Sequence, residues 1–259
     1  MTSSEHMLWG DRHQQKDALR QRIWADLNQA GLTVRDPVGH IPNFKGADAA
    51  AARLAELSAW RSAQVVKCNP DSPQTPVRLR ALQEGKRLYM AVPRLSRKKC
   101  FVELTAEGLR EKGVPLDKAA TMRNALIHGN LVGFDEMQPI DVVIVGCVAV
   151  SPDGGRTGKG AGFADLELAM MAEFGLVSAE TCIIATVHDR QIVENSELPL
   201  ESHDWPLDWI VTPTQVIETL TQHTRPSGLD WDHVQPDQLK TIPILKQLNK
   251  GRSIPGLDV

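Results

Sequence analysis

The sequence has few of the residues expected in a secreted, membrane-spanning or zinc-binding protein. Its four cysteines stand far apart and form no CxxC or Cys/His spacing, which argues against a disulfide framework or a zinc site. We expect buried thiols in a reducing compartment. The longest apolar run, VVIVGCVAV, is too short to cross a bilayer, and the first residues lack an apolar signal core. These absences predict a cytoplasmic protein with no membrane partner.

The charge balance and the aromatic content also argue against a nucleic-acid partner. The 259 residues include 29 Lys and Arg against 32 Asp and Glu, a net charge of −3 that gives no overall basic field. One tyrosine, five phenylalanines and six tryptophans offer little surface for base stacking. The length suits one large α/β domain or two small ones.

Alternating apolar segments predict a three-layer α/β/α sandwich with a mainly parallel open sheet, similar to a Rossmann fold. Predicted helices cover 14–30, 47–57, 76–83 and 163–176, and a further one starts near Pro213. Predicted strands cover 63–68, 86–93, 140–150, 181–187 and 208–212, and 94–138 is expected to be irregular. We expect a single domain over 1–225 and a C-terminal extension over 226–259 that packs on it or trails from it, with a poorly ordered tail at 251–259.

The most informative segment is the glycine-rich stretch SPDGGRTGKGAGF at 151–163, between the most apolar predicted strand and a helix. Glycines let backbone N–H groups approach an anion, and the helix N-terminus favours negative charge. Arg156 and Lys159 add full charges. The segment is not a Walker loop, because glycine follows Lys159, and its alternating glycines do not match GxGxxG. It predicts another kind of phosphate loop, with a flexible turn bearing two solvated cations as the alternative.

Two other segments carry weaker signals. Lys16 and Arg20 lie four apart on the first predicted helix, where like charges cost about 0.2–0.5 kcal/mol unless an anion lies between them. The alternative is a solvated helix edge. Asp204 and Asp208 flank the start of a predicted strand, but His203 with Asp204 is by itself ordinary turn chemistry.

Together these segments resemble the 5-formyltetrahydrofolate cyclo-ligase family, also called methenyltetrahydrofolate synthetases. The resemblance is carried by KDALRQRI at 16–23, by the GK-strand-P unit at 85–93, by IDVVIVGCVAVSPDGGRTGKGAGFADLELA and by DWIVTPTQVI, in the family's order. The long segment is similar to the family's strand and GxRxGxGxGYYD loop. The resemblance implies a ligase that uses ATP and magnesium to convert 5-formyltetrahydrofolate to 5,10-methenyltetrahydrofolate.

The resemblance also implies roles for individual residues. It implies that Arg156 and Lys159 serve catalysis, that Asp165 and Asp204 hold magnesium, and that Arg20, Ser72 and Phe163 contact the substrate. The residues implied to contact ATP are Lys16, Arg20, Arg156, Gly158, Lys159, Gly160, Ala161, Gly162 and Phe163. A carboxylate at Asp165 would also be stabilised by the helix dipole without any metal.

The sequence departs from the family pattern mainly on the folate side. The loop ends in Phe163-Ala164 where the family usually has two tyrosines, and Ser72, next to Asp71, takes the place of an acidic folate contact. A serine cannot supply the same bidentate acceptor. With the C-terminal extension, this indicates a divergent branch. Two alternatives stay open: an ATP-dependent enzyme acting on another folate- or thiamin-related heterocycle, and a non-catalytic nucleotide- or folate-binding regulator. We expect a monomer or homodimer.

Overall fold

The computed structural model describes residues 14–251, in which an eight-stranded sheet carries helices on both faces. In chain order the strands are β1 Val65–Cys68, β2 Arg87–Ala91, β3 Phe101–Leu104, β4 Asn130–Val132, β5 Val142–Val145, β6 Ala149–Val150, β7 Arg156–Thr157, β8 Cys182–Thr186, β9 Trp209–Val211 and β10 Val216–Glu218. The sheet order is β10-β9-β8-β5-β1-β2-β3-β4, and β6 pairs with β7 apart from it.

The five central strands, from β9 to β2, run parallel, and antiparallel strands complete both edges. The helices are α1 Gln14–Gln29, α2 Ala47–Leu54, α3 Ser58–Ser62, α4 Thr75–Gln83, α5 Ala106–Glu111, α6 Leu116–Ala119, α7 Met122–His128, α8 Phe163–Glu173, α9 Pro236–Thr241 and α10 Pro243–Gly251. The central strands are four or five residues long except for β9, and nearly all of their residues are buried, as expected of strands covered on both faces.

Each face of the sheet has its own apolar core. On one face, Leu54 of α2 and Leu82 of α4 join a cluster with Ile144 of β5. On the other face, Met171 of α8 joins a cluster with Val143 of the same strand. Because side chains alternate along a strand, neighbouring residues of β5 serve opposite cores. The predicted α/β class with a mainly parallel sheet is confirmed.

The strand predicted over 140–150 is wrong as one element, because the chain leaves the sheet at Gly146. A Cβ on Gly146 would lie 3.1 Å from Asp71 Oδ2 and 3.2 Å from Ile41, so any larger residue would require these neighbours to shift. The next two carbonyls, of Cys147 and Val148, accept hydrogen bonds from Gln191 Nε2 at 2.9 and 3.1 Å. The chain then forms β6, which pairs with β7 outside the main sheet.

Other boundaries also differ from the prediction. The helix expected near Pro213 is absent, because Thr212 Oγ1 accepts from the backbone N–H groups of Thr214 and Gln215 at 3.1 and 3.0 Å. This turn leads into β10, antiparallel to β9. Helix α2 covers most of the helix predicted over 47–57 but ends at Leu54, and a separate short helix, α3, follows beyond the predicted range. The region 94–138 is not irregular, since it contains β3, β4 and three short helices.

The described part of the C-terminal region packs against the main domain. Ile242 and Leu245 are fully buried in the same core as α8. The division at residue 225 stays a prediction, and the predicted disordered tail falls almost wholly on 252–259, outside the described residues, as do the first 13 residues. Among the helices within 14–251, none has the length and apolar character needed to cross a membrane.

Three of the cysteines are buried and Cys182 is half-buried, which predicts thiols that do not react in the folded protein. Burial raises the pKa of Cys68 to about 11 and that of Cys100, Cys147 and Cys182 to about 12. Because the thiolate is the nucleophile, thiols with raised pKa values stay protonated and inert at pH 8. We expect no thiol to react with a chromogenic disulfide reagent in native protein and four per chain to react in guanidinium chloride. Rapid reaction of the native protein would contradict this.

Candidate active site

The glycine-rich loop lies where β7 leads into α8, beyond the carboxyl ends of the parallel strands. Gly160 has φ +99° and Gly162, which precedes the first residue of α8, has φ +63°. Both conformations favour glycine, so two of the three alternating glycines follow from the path of the backbone. The loop ends on a helix N-terminus, an arrangement suited to binding phosphate.

Helix α1 braces this loop through Arg20. Its Nε donates to the Gly158 carbonyl at 2.8 Å and its Nη2 to Thr157 Oγ1 at 2.9 Å. The Arg20 residue is only 2% exposed, so the guanidinium is enclosed by the loop that it supports. Its Nη1 also contacts the more exposed carboxylate of Asp17 at 2.5 Å.

One turn earlier on α1, Lys16 is fully buried, and its Nζ lies 2.5 Å from Asp204 Oδ2. The same Asp204 oxygen accepts from the Glu201 backbone N–H at 2.8 Å. The like charges at positions 16 and 20 are therefore tolerated because each has its own buried acceptor, Asp204 for Lys16 and Thr157 for Arg20.

Arg156 and Asp165 form the centre of the site. Arg156 Nη2 pairs with Asp165 Oδ1, and its Nε donates to the Trp205 carbonyl at 2.8 Å. The Trp205 backbone N–H donates to the same Asp165 oxygen at 3.0 Å. These contacts join β7, the first turn of α8 and the connection between β8 and β9, so they bring Asp165 and Asp204 to one place.

Burial raises the pKa of Asp165, and the neighbouring Asp204 raises it further, while Arg156 and Lys16 oppose the shift. Asp204 directly precedes Trp205, whose backbone N–H donates to Asp165 Oδ1, so the two carboxylates lie near each other. A divalent cation between them would relieve this repulsion.

The two carboxylates fit a magnesium ion shared with phosphate. Within residues 14–251, the hydrogen bonds to Asp165 and Asp204 use one carboxylate oxygen of each, Oδ1 and Oδ2 respectively. One or two carboxylates, completed by phosphate oxygens and water, form the usual magnesium environment. In the same part of the chain no three His, Cys, Asp or Glu side chains cluster to hold a metal.

The substrate-side prediction is altered by Asp71. Lys159, at the rim of the loop, places its Nζ 3.2 Å from Asp71 Oδ1, whereas Ser72 is exposed. Arg78 fixes this segment by donating to the carbonyls of Asn69 and Asp71 at 2.5 and 3.0 Å. The carboxylate facing the loop therefore belongs to Asp71. The remaining predicted residues, Ala161 and Phe163, are half-buried at the loop's end, where Phe163 packs against the core.

Sequence reasoning missed a buried ion pair beneath the site. Lys67 of β1, fully buried, pairs with Glu167 of α8, and its Nζ also donates to Asn69 Oδ1 at 2.5 Å. Burial raises the pKa of Glu167, and the charge of Lys67 opposes the shift. A lysine within the apolar run VVKC was the signal. The pair joins α8, two residues after Asp165, to the central strand.

Comparisons with known proteins agree on one family. A model of the 5-formyltetrahydrofolate cyclo-ligase family matches residues 12–213. Over 246 residues, 94% of the chain, it is 40% identical to methenyltetrahydrofolate synthase domain-containing proteins of Bos taurus and Mus musculus. The chain spans just under two thirds of these curated relatives, 64% and 66%. An NMR structure of Aquifex aeolicus 5,10-methenyltetrahydrofolate synthetase is 16% identical, with a TM-score of 0.49, covering 85% of this chain and 99% of that one.

Breaking the pair beneath the site should destabilise the fold. Lys67→Met leaves Glu167 buried without its cation, and loss of one partner of a buried pair costs about 3–5 kcal/mol. We expect a clearly lower Tm by calorimetry. The control is Arg190→Met, which breaks an exposed 2.9 Å pair with Asp26 worth about 0–1 kcal/mol. Equal Tm values for the two variants would contradict this interpretation.

Proposed function

Since the chain belongs to the 5-formyltetrahydrofolate cyclo-ligase family, we propose that it converts 5-formyltetrahydrofolate to 5,10-methenyltetrahydrofolate with ATP and magnesium. The observation that carries this proposal is the phosphate loop, braced by Arg20 and followed by Asp165 in the first turn of α8. The pairing of Lys16 with Asp204 completes the same site.

In the proposed reaction the formyl oxygen attacks the γ-phosphate of ATP, which forms a phosphorylated imidate and releases ADP. N10 then attacks the formyl carbon, and inorganic phosphate leaves as the ring closes. Such phosphoryl transfer depends mainly on positioning and electrostatic stabilisation. The backbone N–H groups of 158–162 and the N-terminus of α8 would hold the phosphate oxygens.

The cations of the site have different proposed roles. Lys159, with a side chain 42% exposed, is placed to contact the transferred phosphate. The Arg156 side chain is only 1% exposed and already contacts Trp205 and Asp165, so we assign it to positioning Asp165. Asp165 and Asp204 would hold magnesium, which would neutralise charge on the phosphates.

A second function is favoured by the substrate side of the site. Ser72 is exposed and cannot supply the bidentate acceptor of a carboxylate, and Ala164 leaves out an aromatic ring. The same phosphate chemistry applied to another folate- or thiamin-related heterocycle is therefore the alternative proposal.

The test is turnover by the full chain. With 5-formyltetrahydrofolate, ATP and magnesium, we expect the absorbance of the methenyl product to rise, and to stay flat without ATP or with a chelator. Phosphate release with another heterocycle, but none with 5-formyltetrahydrofolate, would favour the alternative substrate. Nucleotide binding without consumption across the substrate panel would contradict both enzymatic proposals and indicate a regulator.

Lys159 provides a prediction about rate. Lys159→Met removes a positive charge that would stabilise the negative charge developing on the transferred phosphate. Loss of one such donor typically lowers kcat by about 10²–10³-fold. We expect that loss in steady-state assays with the substrate that is turned over. Lys118→Met, at an exposed position on α6, is the control and should match the parent. An unchanged kcat in the Lys159 variant would remove this residue from the mechanism.

A further inference from the structure

A cavity of about 320 Å³ adjoins the end of the phosphate loop. Gly162 and Asp165 stand at its edge, and α8 supplies one wall through Leu166 and Ala169. The opposite wall is formed by residues between 228 and 238, which follow the segment matched by the family model, 12–213. The C-terminal region therefore adds a wall that the family match does not include.

The walls of this cavity combine apolar and polar groups. Leu166 and Ala169 of α8 and Leu229 and Val234 of the C-terminal region supply its apolar lining. His233 supplies a polar edge, with its Nδ1 2.7 Å from Asp230 Oδ2. The ring of His203 lies beside that of His233, with centroids 4.6 Å apart. Apolar walls with a few ordered polar groups are typical of small-molecule sites.

The surroundings of the two ends of the loop indicate how a bound nucleoside triphosphate would be oriented. At one end Lys159 contacts Asp71, on the side where the substrate is proposed to lie. At the other end Gly162 and Asp165 border the cavity. In the proposed reaction the γ-phosphate must meet the substrate, so a triphosphate lying along the loop directs its nucleoside away from Asp71 and toward the cavity.

We propose that this cavity binds the adenosine moiety of ATP and that the segment 228–238 forms its outer wall. The inference rests on the proposed function, since the loop must hold the phosphates. A volume near the lower end of the range for ligand sites, about 300–1,000 Å³, suits one nucleoside. The C-terminal segment thereby distinguishes a nucleoside triphosphate from free polyphosphate.

The test compares the binding of ATP and inorganic tripolyphosphate, each with magnesium, by titration calorimetry on the full chain. Val234→Trp fills the cavity and should weaken ATP binding at least about tenfold, or about 1.4 kcal/mol, with little change for tripolyphosphate. Lys240→Trp adds the same side chain at a position 76% exposed on α9 and should change neither affinity. Leu229→Trp provides a second filled cavity, and thermal melts check that each variant is folded.

Several outcomes would overturn the proposal. If the parent protein bound tripolyphosphate as tightly as ATP, the proposed phosphate loop would be supported and the nucleoside site would be refuted. Equal weakening of ATP and tripolyphosphate binding by Val234→Trp would also refute it. If Val234→Trp abolished 5-formyltetrahydrofolate binding but left ATP binding intact, the cavity would be assigned to the substrate. If the parent protein binds neither phosphate ligand, the proposed function fails together with this inference.

Discussion

The pairing of the Arg156 guanidinium with the Asp165 carboxylate is the interaction on which the candidate site depends. One partner comes from β7 and the other from α8, and both also contact the backbone of Trp205. A buried charge is strongly destabilising without its partner, so these three segments are held in one arrangement. Lys16 with Asp204 and Arg20 with Gly158 extend the same principle to α1. The glycine loop is thus supported by the ion pair of Arg156 with Asp165 and by the hydrogen bonds from Arg20.

The arrangement explains why local sequence patterns predicted much of the candidate site. Glycines with positive φ and a basic pair one helical turn apart are short-range signals, and the loop and α1 were predicted from them. The parallel core was predicted for the same reason, since its strands are short apolar runs separated by helical segments. Local propensity was less informative at 94–138, where β3 and β4 are three or four residues long. Near Pro213 a side-chain hydroxyl of Thr212 determines a turn that no periodicity indicates.

Contacts between distant parts of the chain could not be predicted. Lys159 and Asp71 are 88 residues apart and meet only because β1 and β5 are neighbours in the sheet. This contact bears on the proposed substrate side of the site. Ser72 is not acidic, but the residue before it, Asp71, has a carboxylate that faces the loop. Likewise, the wall formed by 228–238 depends on how the C-terminal region packs on α8. The glycine-rich loop therefore follows from local sequence, whereas the contact with Asp71 and the wall formed by 228–238 depend on tertiary packing.

The central claim is that paired charges hold Asp165 as a magnesium ligand beside a phosphate loop. The most direct measurement is the affinity for ATP with and without magnesium, in the parent protein and in Asp165→Asn, which keeps the size of the side chain. The account predicts that magnesium strengthens ATP binding to the parent protein and has little effect on the folded variant. An equal effect of magnesium on both proteins would contradict it.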